Sequence, residues 1–239
     1  MTVRKEAVSF ALIIVVTIFR FNMTKPVLFI LVLFSACKPA GYFVSPNEVH
    51  KEKVVLYLRN EEKITGEINI DLENGSTQHT EFKPLIEIMP EGKTVWQKIN
   101  MKDIAAYTMD SVYYAAKNLD VDLNGTRFLM FVKRLTAKNS KIQLFELYES
   151  GKGTYTGESK YSYFLSLPGY APYQTVNVRS NQLIPGFDLK MSSMVDDCPV
   201  LAKKIRSRQN DYYLNMATFN RKKTPEVLLR IINEYDSCR

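Results

Sequence analysis

Catalysis needs a base, a nucleophile, a metal cage or a cradle for phosphate, and these 239 residues hold few groups that build one. The chain has two histidines, His50 and His79. "HTE" at 79–81 carries the His-x-Glu of a zinc deaminase, yet the Cys-x-x-Cys that completes such a cage is missing, so His79 and Glu81 read as exposed strand or loop residues. "ESGKGTYTGES" at 149–159 breaks the spacing of a phosphate loop at Gly151-Lys152-Gly153-Thr154 and lies between two strand-like runs, so it reads as a hairpin loop. No Gly-x-Ser-x-Gly elbow occurs, and His50 falls in a Pro- and Gly-bearing segment, a poor place for a pre-organised base. The carboxylate pairs Glu146 with Glu149 and Asp120 with Asp122 are close only along the chain. The expectation is no catalytic residue, no metal and no cofactor.

Recognition is better served than catalysis. "GTYTGESKYSYFLSLPGYAPY" holds Tyr155, Tyr161, Tyr163, Tyr170 and Tyr173, and tyrosine offers a flat apolar face with a hydroxyl, which suits a glycan or a protein partner. Tyr161 and Tyr163 also alternate with Ser162, so the same residues could fill one face of a sheet as core.

The three cysteines divide into one near the start and two near the end. Residues 7–19 are apolar, then Arg20, Asn22 and Lys25 intervene before a second run from Val27 to Phe34. Neither run reaches the ~20 residues of a membrane span, and fusing them would place Arg20 and Lys25 at mid-bilayer. The second run suits an export signal over residues 23–36: Lys25, a short apolar core, then Ser35 and Ala36. Residues 1–22 read as an extension before the true start at Met23. "LFSAC" resembles a bacterial lipobox, which implies lipidation of Cys37 and a membrane-anchored mature protein; Phe34 departs from the Leu that pattern prefers. Lys38 after the cysteine points to the outer membrane rather than inner-membrane retention. A plain cleaved signal and an uncleaved anchor are the alternatives. Cys198 and Cys238 are then a natural disulfide pair in an exported chain, two buried free thiols being the alternative.

Charge excludes one class of partner. Losing the residues ahead of the mature chain removes Arg4, Lys5, Arg20, Lys25 and Glu6, so the net charge falls from +7 to +4. The clusters "AKKIRSR" and "NRKKT" lack the interleaved aromatics of a single-strand binder, and no nucleic-acid partner is expected.

The elements that must position these residues come in two textures. Residues 37–50 read as a tether and 51–180 as a β-rich domain, with strand-like runs about every ten residues separated by "NEEK", "ENG", "PEGK" and "TAKNS". "KIQLFELYE" at 141–149 is apolar on both faces and predicts a central strand. Residues 181–239 read as a helical tail: a stripe of Phe187, Met191, Met194 and Val195, a helix capped by Asp197 with Pro199 in its first turn, and a last helix starting at Thr224-Pro225 with an apolar face of Val227, Leu228, Ile231, Ile232 and Tyr235. The fold class expected is α+β, mainly antiparallel β in a sandwich or open barrel, followed by a small helical subdomain.

"MSSMVDDCPVLAKKI" followed by "LLRIINEYDSC", with "INMKDIAAYTMDSVYY" upstream, resembles an uncharacterised family of exported proteins from Bacteroidota over most of residues 51–239. The resemblance implies export, a β-rich body and a helical tail, and assigns no activity. The function expected is a non-catalytic envelope lipoprotein, outer-membrane or periplasmic, that holds a protein or glycan partner. The alternative is a glycan-binding or glycan-processing protein using the tyrosines of 154–173.

Overall fold

Among the described residues, alternating apolar and polar side chains build eleven strands into one open antiparallel sheet. The computed structural model describes residues 41–72, 85–120, 127–149, 160–167, 175–179 and 183–238. The strands are β1 (Tyr42–Ser45), β2 (Glu48–Leu58), β3 (Lys63–Asp71), β4 (Leu85–Pro90), β5 (Gln97–Asn100), β6 (Ile104–Met109), β7 (Val112–Asp120), β8 (Arg127–Arg134), β9 (Gln143–Glu149), β10 (Lys160–Ser166) and β11 (Val176–Asn177). Their order across the sheet is β11-β10-β9-β8-β7-β6-β2-β3-β4-β5, with β1 paired to β2. Helices α1 (Phe187–Met194), α2 (Pro199–Arg206) and α3 (Lys223–Ser237) follow, so the class is α+β, as the sequence predicts.

Short hairpins set most of the register. Met109 pairs with Val112, leaving Asp110 and Ser111 in the left-handed region at φ 48° and 65°, the two-residue turn whose twist matches its strands. Gly92 supplies φ +75° in "PEGK". Gly66 in β3 answers a different need, because a Cβ there would collide with the Met89 carbonyl of β4.

One face of the sheet, here face A, carries Val54 and Leu56 of β2, Ile68 and Ile70 of β3, Ile86 and Ile88 of β4, Tyr107 of β6, Tyr114 of β7 and Phe131 of β8 in one buried cluster. Its roof comes from the chain segment read as a tether. Residues 42–50 are β1 and the start of β2, and the Pro46-Asn47 turn between them is buried against β8. The fully buried Asn47 donates from Nδ2 to the Phe131 carbonyl at 3.0 Å and accepts the Phe131 N–H on Oδ1 at 2.8 Å. Its carboxamide thus stands where a neighbouring strand would. The Tyr107 hydroxyl donates to the Pro46 carbonyl at 2.9 Å, and the Leu72 N–H donates to the Asn47 carbonyl at 2.8 Å.

These bonds require the β2–β3 ribbon to fold back. β2 meets β6 only through Val55–Leu58, and β6 and β7 stand between β2 and β8. Asn47 precedes Val55 by a length of strand that would span roughly 26 Å if straight. The bend is placed by a bulge between His50 and Glu52, with Lys51 at φ 52°.

The second core joins sheet and helices, so the tail is not a separate body. Ile142 just before β9, Leu144 of β9, Tyr163 and Leu165 of β10 and Val176 of β11 pack on Phe187 and Met191 of α1, Leu201 and Ile205 of α2, and Val227, Leu228, Ile231, Ile232 and Tyr235 of α3. β9 does have both faces buried, Ile142 and Leu144 on one and Phe145 and Leu147 on the other. Two caps differ from expectation. Cys198, not Asp197, is the N-cap of α2, with Pro199 at the first position. Ahead of α3, Asn220 Oδ1 accepts the N–H groups of Lys222 and Lys223, while Thr224 Oγ1 accepts the Asn220 N–H. Thr224 is thereby drawn inside the helix and fully buried.

Cys198 and Cys238 form a disulfide, with Cα atoms 6.0 Å apart, that ties the start of α2 to the end of α3. Beside it, Lys141 donates from its backbone N–H to Asp236 at 2.7 Å and from Nζ to the Cys238 carbonyl at 2.8 Å, fixing the tail to the turn before β9. Lys204 and the Tyr212 hydroxyl both donate to Glu234, each at 2.6 Å, locking α2 to α3.

Two stability predictions follow from these contacts. Asn47→Ala strands a buried N–H and a buried carbonyl and should cost about 3 kcal/mol in chemical denaturation; a loss below about 0.5 kcal/mol would show that the turn is not a clamp. Cys198→Ser opens a loop worth about 4 kcal/mol on the chain-entropy model, so under oxidising conditions its Tm should fall by about 10 °C, while the reduced proteins should melt together.

Candidate functional site

The residues singled out in the sequence scatter. Cys37, His79, Glu81, Tyr155, Tyr170 and Tyr173 lie outside the described residues. His50 is in β2, half-buried, with the Tyr42 ring stacked on it at 4.5 Å. Tyr163 is fully buried: its hydroxyl donates to the Arg221 carbonyl at 3.0 Å, and its ring meets Phe219 edge-on at 6.2 Å. Burial, with Glu146 alongside, holds its phenol protonated well above the ordinary tyrosine range. Tyr161 is half-buried, packed against Tyr148 at 5.0 Å and roofed by the Arg221 guanidinium at 4.0 Å. The strand alternation of these two tyrosines therefore serves packing under the loop before α3.

A different set of aromatics lies on the opposite face of the sheet, face B. Tyr57 of β2 is opposite Lys63 of β3, and Lys63 Nζ sits 5.5 Å from the Tyr57 ring centre. Across β6, Tyr57 pairs with Ala106 and Thr108 pairs with Tyr113, so Tyr113 of β7 shares that face, its ring 6.2 Å from Tyr57. Tyr114 pairs with Lys133, which puts Arg134 of β8 beside Tyr113, and its guanidinium lies 4.1 Å from the Tyr113 ring centre. Lys63–Tyr57–Tyr113–Arg134 is thus one row over five neighbouring strands, about 19 Å at normal strand spacing.

Exposure along the row differs from that of the cores. Lys53, Lys63 and Thr65 are exposed, and Val55, Tyr57, Thr108, Tyr113 and Arg134 are half-buried. The helices pack on the opposite side, through Ile142, Leu144, Tyr163 and Leu165, so no described helix covers the row. The acidic residue nearest in register is Glu67, opposite Lys53. Each cation rests against a ring, which attracts it by the ring quadrupole and limits its rotamers before any ligand arrives. Burial raises the Tyr113 phenol, Arg134 partly opposing it, so the hydroxyl is a proton-bearing donor at neutral pH.

Further along, face B is apolar and buried. Ala115, Leu119, Val132, Phe145, Leu147 and Phe164 are buried together, with Lys117 Nζ 4.8 Å over the Phe145 ring. Burial pushes the Lys117 ammonium down to about 8, and the Arg59 guanidinium adds to the shift. A separate open groove of about 330 Å³ lies at the start of α3, lined by Asp211, Lys222, Lys223, Glu226 and Arg230 among others. Within it Arg230 pairs with Asp211 at 2.8 Å. Among the described residues no cluster of His, Cys, Asp and Glu could hold a metal ion, and no helix is long and apolar enough to cross a membrane.

Sequence reading missed this row for two reasons. Tyr57 and Lys63 sit across the "NEEK" hairpin, and their pairing was readable once the turn was placed. Tyr113 and Arg134 needed the register between β6, β7 and β8, which no single turn dictates.

Lys117 gives a pH prediction. Its folded-state pKa of about 8 lies below the unfolded value of about 10.4, so between those values the unfolded chain binds more protons and stability rises with pH. Buried tyrosines oppose this only as the pH nears their ordinary value of about 10. Urea midpoints at pH values of about 7.5 and about 9.5 should therefore rise, and Lys117→Met should flatten the rise; an unchanged slope in that variant would place the proton elsewhere.

No family model, curated protein or solved structure matches the chain.

Proposed function

We propose that this protein is a non-catalytic binding module of a bacterial envelope, anchored by lipid on Cys37 and displaying the open sheet face to a partner. The observation that carries the reading is the Cys198–Cys238 disulfide, which closes the helical tail. Disulfides persist outside the reducing cytosol, and an export signal at 23–36 ending in Cys37 gives such a chain both its route and its anchor. A diacylglycerol with an added N-acyl chain exceeds the two signals that stable membrane attachment needs. The resemblance to exported Bacteroidota proteins supports the same address.

The structural economy of the chain fits holding rather than turnover. Among its buried groups, Asn47, Tyr107 and Tyr163 spend their hydrogen bonds on main-chain atoms of distant segments. The groups left at the surface in an ordered row are cations and rings, which recognise a partner without needing a base or nucleophile.

The test is an intact mass of the protein from the membrane fraction, with and without reduction before alkylation. The reading predicts a chain beginning at Cys37 with added acyl mass, and two thiols that alkylate only after reduction. A chain that keeps residues ahead of Cys37, or carries no acyl mass, would overturn the anchor.

A further inference from the structure

We infer that the Lys63–Tyr57–Tyr113–Arg134 row binds an acidic polysaccharide whose uronate carboxylates meet the cations while its sugar units meet the edges and hydroxyls of the tyrosines. The inference rests on the envelope-binding reading for its choice of ligand, because the polyanions that a protein outside the cytosol meets are chiefly acidic glycans.

Three features of the row select that chemistry. The first is charge. Lys63 and Arg134 are the charged members of the row, and Lys53, opposite Glu67, adds a third cation on the same face. An anionic ligand is the complementary partner. The second is shape. The row runs across strands on a sheet face, without the enclosed pocket that a small molecule would need, and a polymer chain can follow it over about 19 Å. The third is the pairing of each cation with a ring. Arg134 lies 4.1 Å from the centre of Tyr113, so its guanidinium is held by one face and offers its N–H fork to a planar carboxylate. Tyr57 and Tyr113, 6.2 Å apart and tilted by 48°, leave ring edges and hydroxyls between the two cations for the apolar and hydroxyl faces of a sugar.

A single-stranded nucleic acid also combines charge with flat rings, but it needs open aromatic faces on which successive bases stack. Here the Tyr113 face carries Arg134 and the Tyr57 ring carries Lys63. The row offers fixed cations with ring edges between them, which fits carboxylates spaced along a sugar chain.

The experiment is titration of the full chain, in a non-ionic detergent, with oligogalacturonate and with the same oligomer fully methyl-esterified, which keeps the sugars and removes the charge. The inference predicts that esterification weakens binding at least about tenfold. Raising NaCl from about 50 to about 500 mM should also weaken it severalfold. Lys63→Ala, at an exposed position, should weaken binding about threefold, and Arg134→Lys, which keeps charge and loses the fork, about fivefold. Both variants should keep the wild-type melting temperature. Equal binding of acid and ester, wild-type affinity in both variants, or an oligothymidylate of equal charge binding as tightly would each overturn it. If oligogalacturonate fails to bind a protein that carries acyl mass on Cys37, the ligand falls and the envelope reading stands; if it binds a protein without acyl mass, the reverse holds.

Discussion

The fold depends on one carboxamide. By bonding both the N–H and the carbonyl of Phe131, Asn47 closes an edge of β8 that β9 leaves open, since β8 and β9 are in register only at Lys133 with Glu146 and Arg134 with Phe145. A buried main-chain edge without partners is costly, so the sheet could not splay there without something to fill the gap. The filler is the turn of the first hairpin, and bringing it there folds the β2–β3 ribbon over face A. Ser45 and Glu48 on either side are buried with it.

That folding decides which face of each strand becomes core. Face A of β2, β3, β6, β7 and β8 becomes core beneath its own ribbon, and face A of β9 and β10 becomes core beneath the helices. On face B of the first set Lys53, Lys63 and Thr65 stay exposed and Tyr57 and Tyr113 half-buried, and their directions follow from strand alternation: Tyr57 points outward because Leu56 points inward, and Tyr113 because Tyr114 does. The row residues and the core residues are therefore neighbours in sequence, and a one-residue slip in register would exchange them.

Much of this was legible in advance, and the boundary of legibility has a physical cause. The hairpins around "NEEK", "PEGK" and Asp110 are local, and their turns announce them. β9 announced itself by being apolar on both faces, and α3 by the spacing of Val227, Leu228, Ile231, Ile232 and Tyr235. Asn47 was hidden because Asn after Pro, near Gly41, has the composition of a loop, and only a partner 84 residues away makes it structural. The cap of α3 was hidden more subtly: Thr224 before Pro225 looks like an N-cap, but its hydroxyl accepts from Asn220, which does the capping. The tyrosines of 154–173 drew notice for their density, whereas the row on face B holds two tyrosines far apart in sequence, made neighbours by β6 between them.

The disulfide and the clamp act on neighbouring parts of the sheet, one on the tail over β9–β11 and one on the ribbon over β6–β8. The clamp is the more consequential, since it holds the ribbon over face A and so sets which side chains of β2, β3, β6, β7 and β8 are core. The most direct test is native-state hydrogen exchange at the Phe131 amide. If Asn47 holds the fold together, that amide exchanges only through global unfolding, with the same opening free energy as the slowest core amides of β7. An amide that opens with a free energy well below the global value would show a turn that lifts off a sheet stable without it, and would contradict the account.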